Sequence, residues 1–400
     1  MLTTGSSGGP AVPALLRELN ERIVLEAVWQ HAPVHRAELA RITGLSKPTV
    51  SLSLQSLVSA GLVSEQAKDP KRASRAASFF HPVVGAGTVL TLDIGARFIR
   101  GRLTDLAGDS LAQLDLPLRR LSLKQVVATV REVADTLLTT ADVRLDAVAA
   151  AVVGTPGIID PDTGLVSETG ALPSLAGVDL EAVLRDALQV EVMIENDVNL
   201  MALGEQAEGH GREAADFVVV SVGSGLGAGL VLRGELYRGA HGGAGEIDLV
   251  PFREVTDRPA YLVDPAADGV MAMAREAAGA ARGSSLREPF EPSAVFGAAR
   301  AGDEAAREVV RQEARAVAWY LAVVAAVVDV ELVVIAGGIG VNGDLLLEPL
   351  REQLHGMLPF PPRVEMSTLG GGAVLAGAVA MGRRLARDRL FAARVVHDRS

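Results

Sequence analysis

No cysteine occurs in the 400 residues. That excludes disulfides, thiolate nucleophiles and any zinc site needing sulfur ligands. Aromatic residues are scarce at 4%, beside 49% apolar and 22% charged residues. The opening stretch, MLTTGSSGGPAVP, has neither a basic run nor an apolar segment, so no secretory signal is expected. The longest apolar stretch, AVAWYLAVVAAVVDVELVVIAGG, is interrupted by Asp329 and Glu331 and ended by glycines. It reads as a helix feeding a buried strand rather than a membrane span. The expectation is a soluble cytoplasmic protein with no membrane partner.

The apolar share is ample for a packed core and too high for a disordered chain. Length alone suggests two or three domains at roughly 100–200 residues each. The formal net charge of −11 is unevenly distributed. Pro13 to His81 holds nine Lys and Arg against six Asp and Glu, a net +3, which leaves −14 on the remainder. A mildly basic head on an acidic body suits a nucleic-acid reader joined to a sensor or an enzyme.

The head follows a Gly/Ser/Thr tail, residues 1–12, expected to be disordered. In LLRELNERIVLEAVWQHA, Leu16, Leu19, Ile23, Ala27 and Val28 recur at helical spacing. HRAELARITGLSKPTVSLSLQSLVSAG then reads as helix, turn, helix. Gly44 supplies the positive φ that ends the first helix. Ser46 caps the second, and Pro48 fits its first turn. At 100° per residue, Val50, Leu54, Leu57 and Val58 share an inner side. The outer side carries Pro48, Thr49, Leu52, Gln55, Ser56 and Ser59, with Ser46, Lys47 and Ser51 near its start and no acidic residue. Such a face enters a major groove without repelling phosphates. Gln55 suits adenine, and Leu52 or the Thr49 methyl suits a thymine methyl. Two short strands around AKDPKRASRAAS form a wing, whose Lys68, Lys71, Arg72 and Arg75 suit phosphates or a minor groove. Residues 13–82 are therefore expected to be a winged helix-turn-helix that binds a double-stranded DNA operator. The plainer alternative is a helical hairpin with a solvated charged loop.

From Ala86 strands alternate with helices. Asp93-Ile-Gly95 and Gly223-Ser224-Gly225 each join two strands. A Rossmann turn would lead into a helix instead. Glycine turns of this kind bring backbone N–H groups close to phosphate oxygens. Their duplication suggests an α/β, two-lobed, actin-like ATPase/sugar-kinase fold with a ligand cleft between lobes.

Further motifs follow in order: Gly154-Thr-Pro-Gly157, Glu195-Asn196-Asp197-Val198-Asn199, Leu236-Tyr-Arg-Gly239, Gly242-Gly-Ala-Gly-Glu246 and Ala336-Gly-Gly-Ile-Gly340. With LLRELNERIVLEAV, LSKPTVS and the two glycine turns, the chain resembles the ROK family (repressors, open reading frames and kinases) from about Leu15 to Arg387. The resemblance is to the branch with an N-terminal winged helix. It implies a small lobe at 83–198 plus 376–400 and a large lobe at 199–375 bearing dimerisation and the effector cleft. It also implies a regulator answering to a sugar or sugar phosphate, as a homodimer or homotetramer. In the resembling kinases the aspartate at the position of Asp197 is the general base, Asn196 touches neighbouring hydroxyls, and Glu246 binds the sugar. A plainer role for Asn196 and Asp197 is to cap the helix that follows.

Four departures argue against phosphoryl transfer. The family's Asp-x-Gly-Gly-Thr turn becomes Asp93-Ile-Gly95-Ala96-Arg97. The histidine three residues after the sugar-binding glutamate is Leu249. The Cys-rich zinc loop is replaced by PFREVTDRPAYLVDPAADG. The Asn-Leu-Pro-Gly-Trp stretch becomes Ala171-Leu-Pro-Ser-Leu175. The phosphate loops are thus read as vestigial, Asp197 as a relic base, and no zinc, ATP or other cofactor is expected. His241, Arg97 and Arg238 are the nearby polar groups available to compensate for lost sugar contacts, His241 being placed in the effector set. The leading reading is a repressor of carbohydrate-related genes. The alternatives are an active sugar kinase with a DNA-binding head, and a ligand-independent regulator controlled by protein docking.

Overall fold

A computed structural model describes residues 11–67, 78–168, 170–249, 264–280 and 283–396. The head comprises α1 (Ala11–His31), β1 (Val34–His35), α2 (Arg36–Thr43), α3 (Lys47–Ser59), β2 (Val63–Ala67) and β3 (Ser78–Pro82). α1 thus starts inside the segment read as a tail, of which residues 1–10 lie outside the described residues. Gly44, at φ 70°, closes α2. Ser46 caps α3 by accepting the Thr49 backbone N–H at 3.3 Å, and Pro48 sits in the first turn. β3 pairs antiparallel with both β1 and β2. Val24, Val28, Leu39, Val50, Leu54, Leu57 and Phe80 close one small core beneath this wing. Lys68, Lys71, Arg72 and Arg75, expected at the wing tip, lie outside the described residues.

The helical wheel needs two corrections. Val58, expected on the inner side, is 37% exposed, and Ser53 is buried. The buried stripe is centred on Val50, Leu54 and Leu57. Val58 and Ser53 each stand about 70° from its centre, on opposite sides, at 100° per residue, so both lie at its margins. The apolar row of α1 likewise divides. Val24, Ala27 and Val28 are buried, whereas Leu16, Leu19 and Ile23 face outward.

The first body sheet contains β4 (Thr88–Ile94), β5 (Phe98–Asp105), β6 (Ser110–Pro117), β7 (Val148–Thr155) and, after the small hairpin β8 (Ile158–Ile159) and β9 (Val166–Ser167), β10 (Val192–Asn196). α4 (Leu123–Thr140) and α5 (Leu180–Leu188) cover it. α6 (Asp197–Glu208) then leads to β11 (Phe217–Val222), β12 (Leu226–Leu232) and β13 (Glu235–Tyr237). The helices α7 (Ala267–Ala280), α8 (Pro292–Arg300) and α9 (Glu304–Val328) precede β14 (Leu332–Ala336). The short α10 (Gly337–Gly340), α11 (Gly343–Met357), β15 (Arg363–Met366) and α12 (Ala373–Phe391) complete the body.

The sheet orders are β6-β5-β4-β7-β10 and β13-β12-β11-β14-β15. In each, the first strand is central, with antiparallel neighbours on one side and parallel ones on the other. This is the duplicated order expected of the two-lobed actin-like fold. Central β4 is buried throughout, as a strand covered on both faces must be, whereas edge strand β6 alternates. The apolar stretch that ends at Gly337 is α9 followed by β14, and no described helix is long and apolar enough to cross a membrane.

α6 and α12 meet at backbone distance. A Cβ on Gly377 would stand 1.8 Å from the Leu200 carbonyl oxygen, and one on Gly204 would stand 2.5 Å from that of Ala373. The side chains of Leu200, Val374 and Ala378 pack with Val152 of β7 beside this crossing. Gly377→Ala is expected to destabilise the protein by about 2–3 kcal/mol through overpacking. Gly356→Ala, in α11 with nothing near the new methyl, should stabilise by up to about 1 kcal/mol. Urea denaturation of the two variants checks both signs.

Candidate functional site

Two surfaces carry the chemistry. The first is the outer side of α3. Ser46, Lys47, Pro48, Leu52 and Gln55 are exposed, and Thr49, Ser51 and Ser56 are half-buried. Leu52, an apolar side chain on a helix with a packed inner face, is 63% exposed. α3 has no acidic residue. Arg36 pins the wing to α2 by pairing with Glu65 at 3.2 Å and stacking on Phe80 at 5.2 Å. The outer side of α3 thus presents polar, uncharged and cationic side chains to solvent.

The second surface lies where β4, β10 and the start of α6 meet the loop after β13. Asn196 ends β10 and caps α6. Its Oδ1 accepts the backbone N–H groups of Val198 at 2.9 Å and Asn199 at 3.0 Å, while Nδ2 donates to the Gly157 carbonyl at 3.0 Å. Capping therefore accounts for most of the Asn196 hydrogen-bonding capacity. Asp197 opens the helix, and its Oδ1 accepts the Val198 N–H at 2.9 Å. Burial, reinforced by the charge of Asp93, pushes its carboxyl up to about 6. Glu246 comes from the second lobe. Burial raises its carboxyl to about 7, with further contributions from Asp248, Asp197 and Glu168. Asp93, Asp197 and Glu246 thus form one electrostatic group across the lobes.

Two arginines neutralise the site's other carboxylates: Arg100, which the motif reading did not place here, and Arg238, which it placed near the sugar but without this partner. Arg100 pairs with Asp93 at 3.2 Å and with Asp115 at 3.5 Å. Even so, burial holds the Asp93 carboxyl above its ordinary range. The β4–β5 register sets Arg100 directly opposite Asp93. Counting back through the Gly95 turn would have found it. Arg238 grips Glu195 from across the cleft, Nε at 2.7 Å and Nη2 at 2.6 Å. Glu195 Oε1 also accepts the Asn196 backbone N–H and the Asn199 amide, each at 2.9 Å. Forty-three residues separate Arg238 from Glu195, and no local pattern announces the pair. Arg238 is accordingly tied to protein rather than free to replace a lost sugar contact. Beside it, Gly242 backs onto the Ile159 carbonyl so closely that a Cβ would stand 2.2 Å away.

The other expected residues are more dispersed. His241 is exposed, and its charge acts on Asp160, helping to hold that carboxyl below its ordinary range after the dominant Thr163 and Asp162 backbone donors. Arg97 is exposed at the tip of the β4–β5 turn, where its carbonyl accepts the Leu118 N–H at 2.8 Å. Gly95 is half-buried at the start of that turn. Gly223 donates to the Gly225 carbonyl at 2.9 Å, and its own carbonyl accepts the Ala267 N–H at 2.9 Å, so this second turn is fastened to α7. Ser224 and Gly225 are exposed beside it.

The donor set does not fit the family's zinc. Leu249 is 61% exposed where the histidine would stand. No described residues gather three metal-ligating side chains, and the sequence of residues 250–263 contains neither histidine nor cysteine.

Comparison with known proteins adds the following. The model of the ROK family matches residues 89–384. A model described as bacterial regulatory protein, arsR family, matches residues 32–65, the span from just before β1 into β2. The chain is 25% identical over 393 residues to the xylose repressor of Caldicellulosiruptor bescii, covering 92% of this chain and 96% of that protein. It is 27% identical over 236 residues to the xylose repressor of Bacillus subtilis. That match covers 58% of this chain and only 60% of the Bacillus protein's own length. A solved structure described as a ROK family transcriptional regulator, homologue of the E. coli MLC protein, superposes with a TM-score of 0.81. It covers 95% of this chain and 99% of the other at 21% identity, a likeness of fold.

The raised carboxyls have a consequence for stability. Folded Asp197 and Glu246 hold protons that the unfolded chain releases near pH 4. Their contribution is complete below that pH and is lost as pH rises through about 6 and 7. Calorimetry between pH 5 and 8 should show the Tm of the unmodified protein falling more steeply than that of an Asp197→Asn, Glu246→Gln double variant. The double variant should be the more stable at pH 8. Parallel curves would show that neither group is held protonated.

Proposed function

The chain belongs to the ROK family, and on that premise we propose that it is a DNA-binding transcriptional repressor whose kinase-derived body senses a sugar or sugar phosphate. The observation that carries this reading is α3, capped, packed on one side and presenting Lys47, Leu52 and Gln55 on an acid-free outer face. The arsR-type match over the same segment and the repressor names of the full-length and partial relatives support it.

In this reading Gln55 and Leu52 meet base edges, while Ser46, Lys47, Thr49, Ser51, Ser56 and the wing arginines Arg72 and Arg75 position the helix on the backbone. Pro48 rigidifies the helix start. A symmetric dimer, or a tetramer built from dimers, reads two half-sites about one helical turn or a multiple apart. The effector lies between lobes, against Asn196, Asp197 and Glu246, with His241 at the rim. Each lobe contributes groups, so binding is coupled to lobe closure. A coupling of about 1–3 kcal/mol gives a 5- to 150-fold change in operator affinity.

The second reading is an active sugar kinase. Asp197 favours it, because a carboxyl raised to about 6 is suited to accept a hydroxyl proton. Against it, Arg100 already occupies Asp93, a long Arg97 replaces the small residue of the first phosphate turn, and the zinc ligands are missing. Asp93, Gly95, Arg97, Gly223, Ser224 and Gly225 are therefore taken as relics of a phosphate site, and no ATP, zinc or other cofactor is assigned.

Genomic footprinting of the purified protein should recover discrete sites beside carbohydrate genes. On such a site, Gln55→Ala should relax choice at one base position by about 1–3 kcal/mol. Lys47→Ala should weaken all sequences alike and reduce the salt slope by about one. Sugar-dependent ATP turnover that disappears in Asp197→Asn would overturn the regulator reading in favour of the kinase.

A further inference from the structure

The hydrophobic core of the winged helix is not built from the head alone. Phe391 and Val395, 1% and 2% exposed, lie in the same cluster as Val24, Val28, Leu57 and Phe80. They come from the end of α12 and the single π-helical turn Ala392–Val396 that continues it. Polar contacts ring the insertion. Arg22 of α1 pairs with Asp388 and stacks over the Phe391 ring at 4.7 Å. Arg387 lies over the Trp29 ring at 5.1 Å and 3.9 Å from Glu26. Arg394 donates to the Ala86 carbonyl at 2.6 Å, at the junction between head and body.

The same helix is fastened to the first lobe along its length. Arg383 Nε donates to the Leu106 carbonyl at 2.9 Å, and Arg389 Nη1 donates to the Glu191 carbonyl at 3.2 Å. Its first half crosses α6 at the Gly377 and Gly204 contact. α6 begins at Asp197, in the cleft. One continuous helix therefore joins the element that starts in the cleft to the core beneath α3.

We propose that Arg387–Val396 is part of the DNA-reading unit, with Phe391 and Val395 as positioning residues that fix the direction of α3 relative to the cleft. This rests on the DNA-reading function for its biological meaning, but its physical content is independent of any operator or effector. Loss of Phe391 opens a cavity in the winged-helix core and detaches α1 from a helix that spans head and body. The head then rotates about residues 83–87, and α3 loses its fixed direction.

The absence of cysteine allows a direct test on the full chain. Ser59→Cys and Thr136→Cys, both exposed, place spin labels on α3 and on α4 of the first lobe. The parent pair should give one narrow distance distribution. Phe391→Ala should at least double its width and speed amide exchange in residues 47–59 about 100-fold, while exchange in β4 stays within twofold. Phe391→Leu should restore most of both. Asp388→Ala, a surface change that leaves the core intact, should broaden the distribution without the full rise in exchange. An unchanged width in both Phe391→Ala and Asp388→Ala would overturn the proposal, as would an equal rise of exchange in β4. Anisotropy with nonspecific duplex DNA at low salt separates the two readings. A broadened head on a protein that binds no duplex upholds the positioning role and removes the DNA-reading function. Duplex binding with an unchanged width does the reverse.

Discussion

Two helix backbones touch where Gly377 meets the Leu200 carbonyl, and the relative placement of head, lobes and cleft depends on that approach. Substituents on both helices project away from the crossing into separate cores. Leu200 and Val374 pack against β7, and Ala202 packs with Phe217 and Val231 of the second sheet. Small residues let backbones approach, and a packed interior transmits small shifts instead of absorbing them. Any displacement of α6 is therefore displacement of α12, within the slack left by side chains. That is a mechanical constraint on what the cleft can do, whichever ligand it holds.

Charge in the cleft is arranged in two classes. Asp93 and Glu195 face arginines, and their ion pairs belong to the architecture. Glu195 is almost fully buried and accepts two further donors, the Asn196 backbone N–H and the Asn199 amide, in addition to a two-point guanidinium contact. Removing one partner of such a pair leaves a buried charge uncompensated, which costs about 3–5 kcal/mol. Among the described residues Asp197 and Glu246 face no such partner, and burial leaves both partly protonated near neutrality. Groups of this kind accept or donate hydrogen bonds according to what is bound, which suits recognition of hydroxyls. The Arg238–Glu195 pair and the close Gly242–Ile159 approach both join the two lobes.

Much of this was legible in the sequence. Gly44, Ser46 and Pro48 punctuate the helix-turn-helix because caps and positive φ are local requirements. The glycine turns between strands revealed the duplicated sheet because turn chemistry is local too. Side-chain direction at margins was less legible. Val58 was read as inner and is partly exposed because the stripe on α3 is narrower than a half-cylinder. Long-range pairing was not legible at all for Arg238, whose partner lies on another lobe. Asn196 shows the limit of motif reading: the residue is where a sugar contact was expected, yet its side chain is largely spent on capping α6 and holding Gly157. Nor did any periodicity in the last forty residues indicate that Phe391 completes a core begun by α1.

On the proposed regulator reading a kinase-derived body serves as a sensor without phosphoryl transfer, because the two tasks draw on different parts of the cleft. Transfer needs an open phosphate turn and a base whose proton affinity matches the transition state. Recognition needs only groups from both lobes that a ligand can bridge. Arg100 on Asp93 and Arg97 at the turn alter the first set. Asp197 and Glu246, from opposite sides, preserve the second. In the proposed function a ligand that bridges them takes contacts from both lobes at once, and such a ligand favours lobe closure. With α12 seated in the winged-helix core, the proposed coupling reaches α3 through that helix, and no separate messenger segment is required.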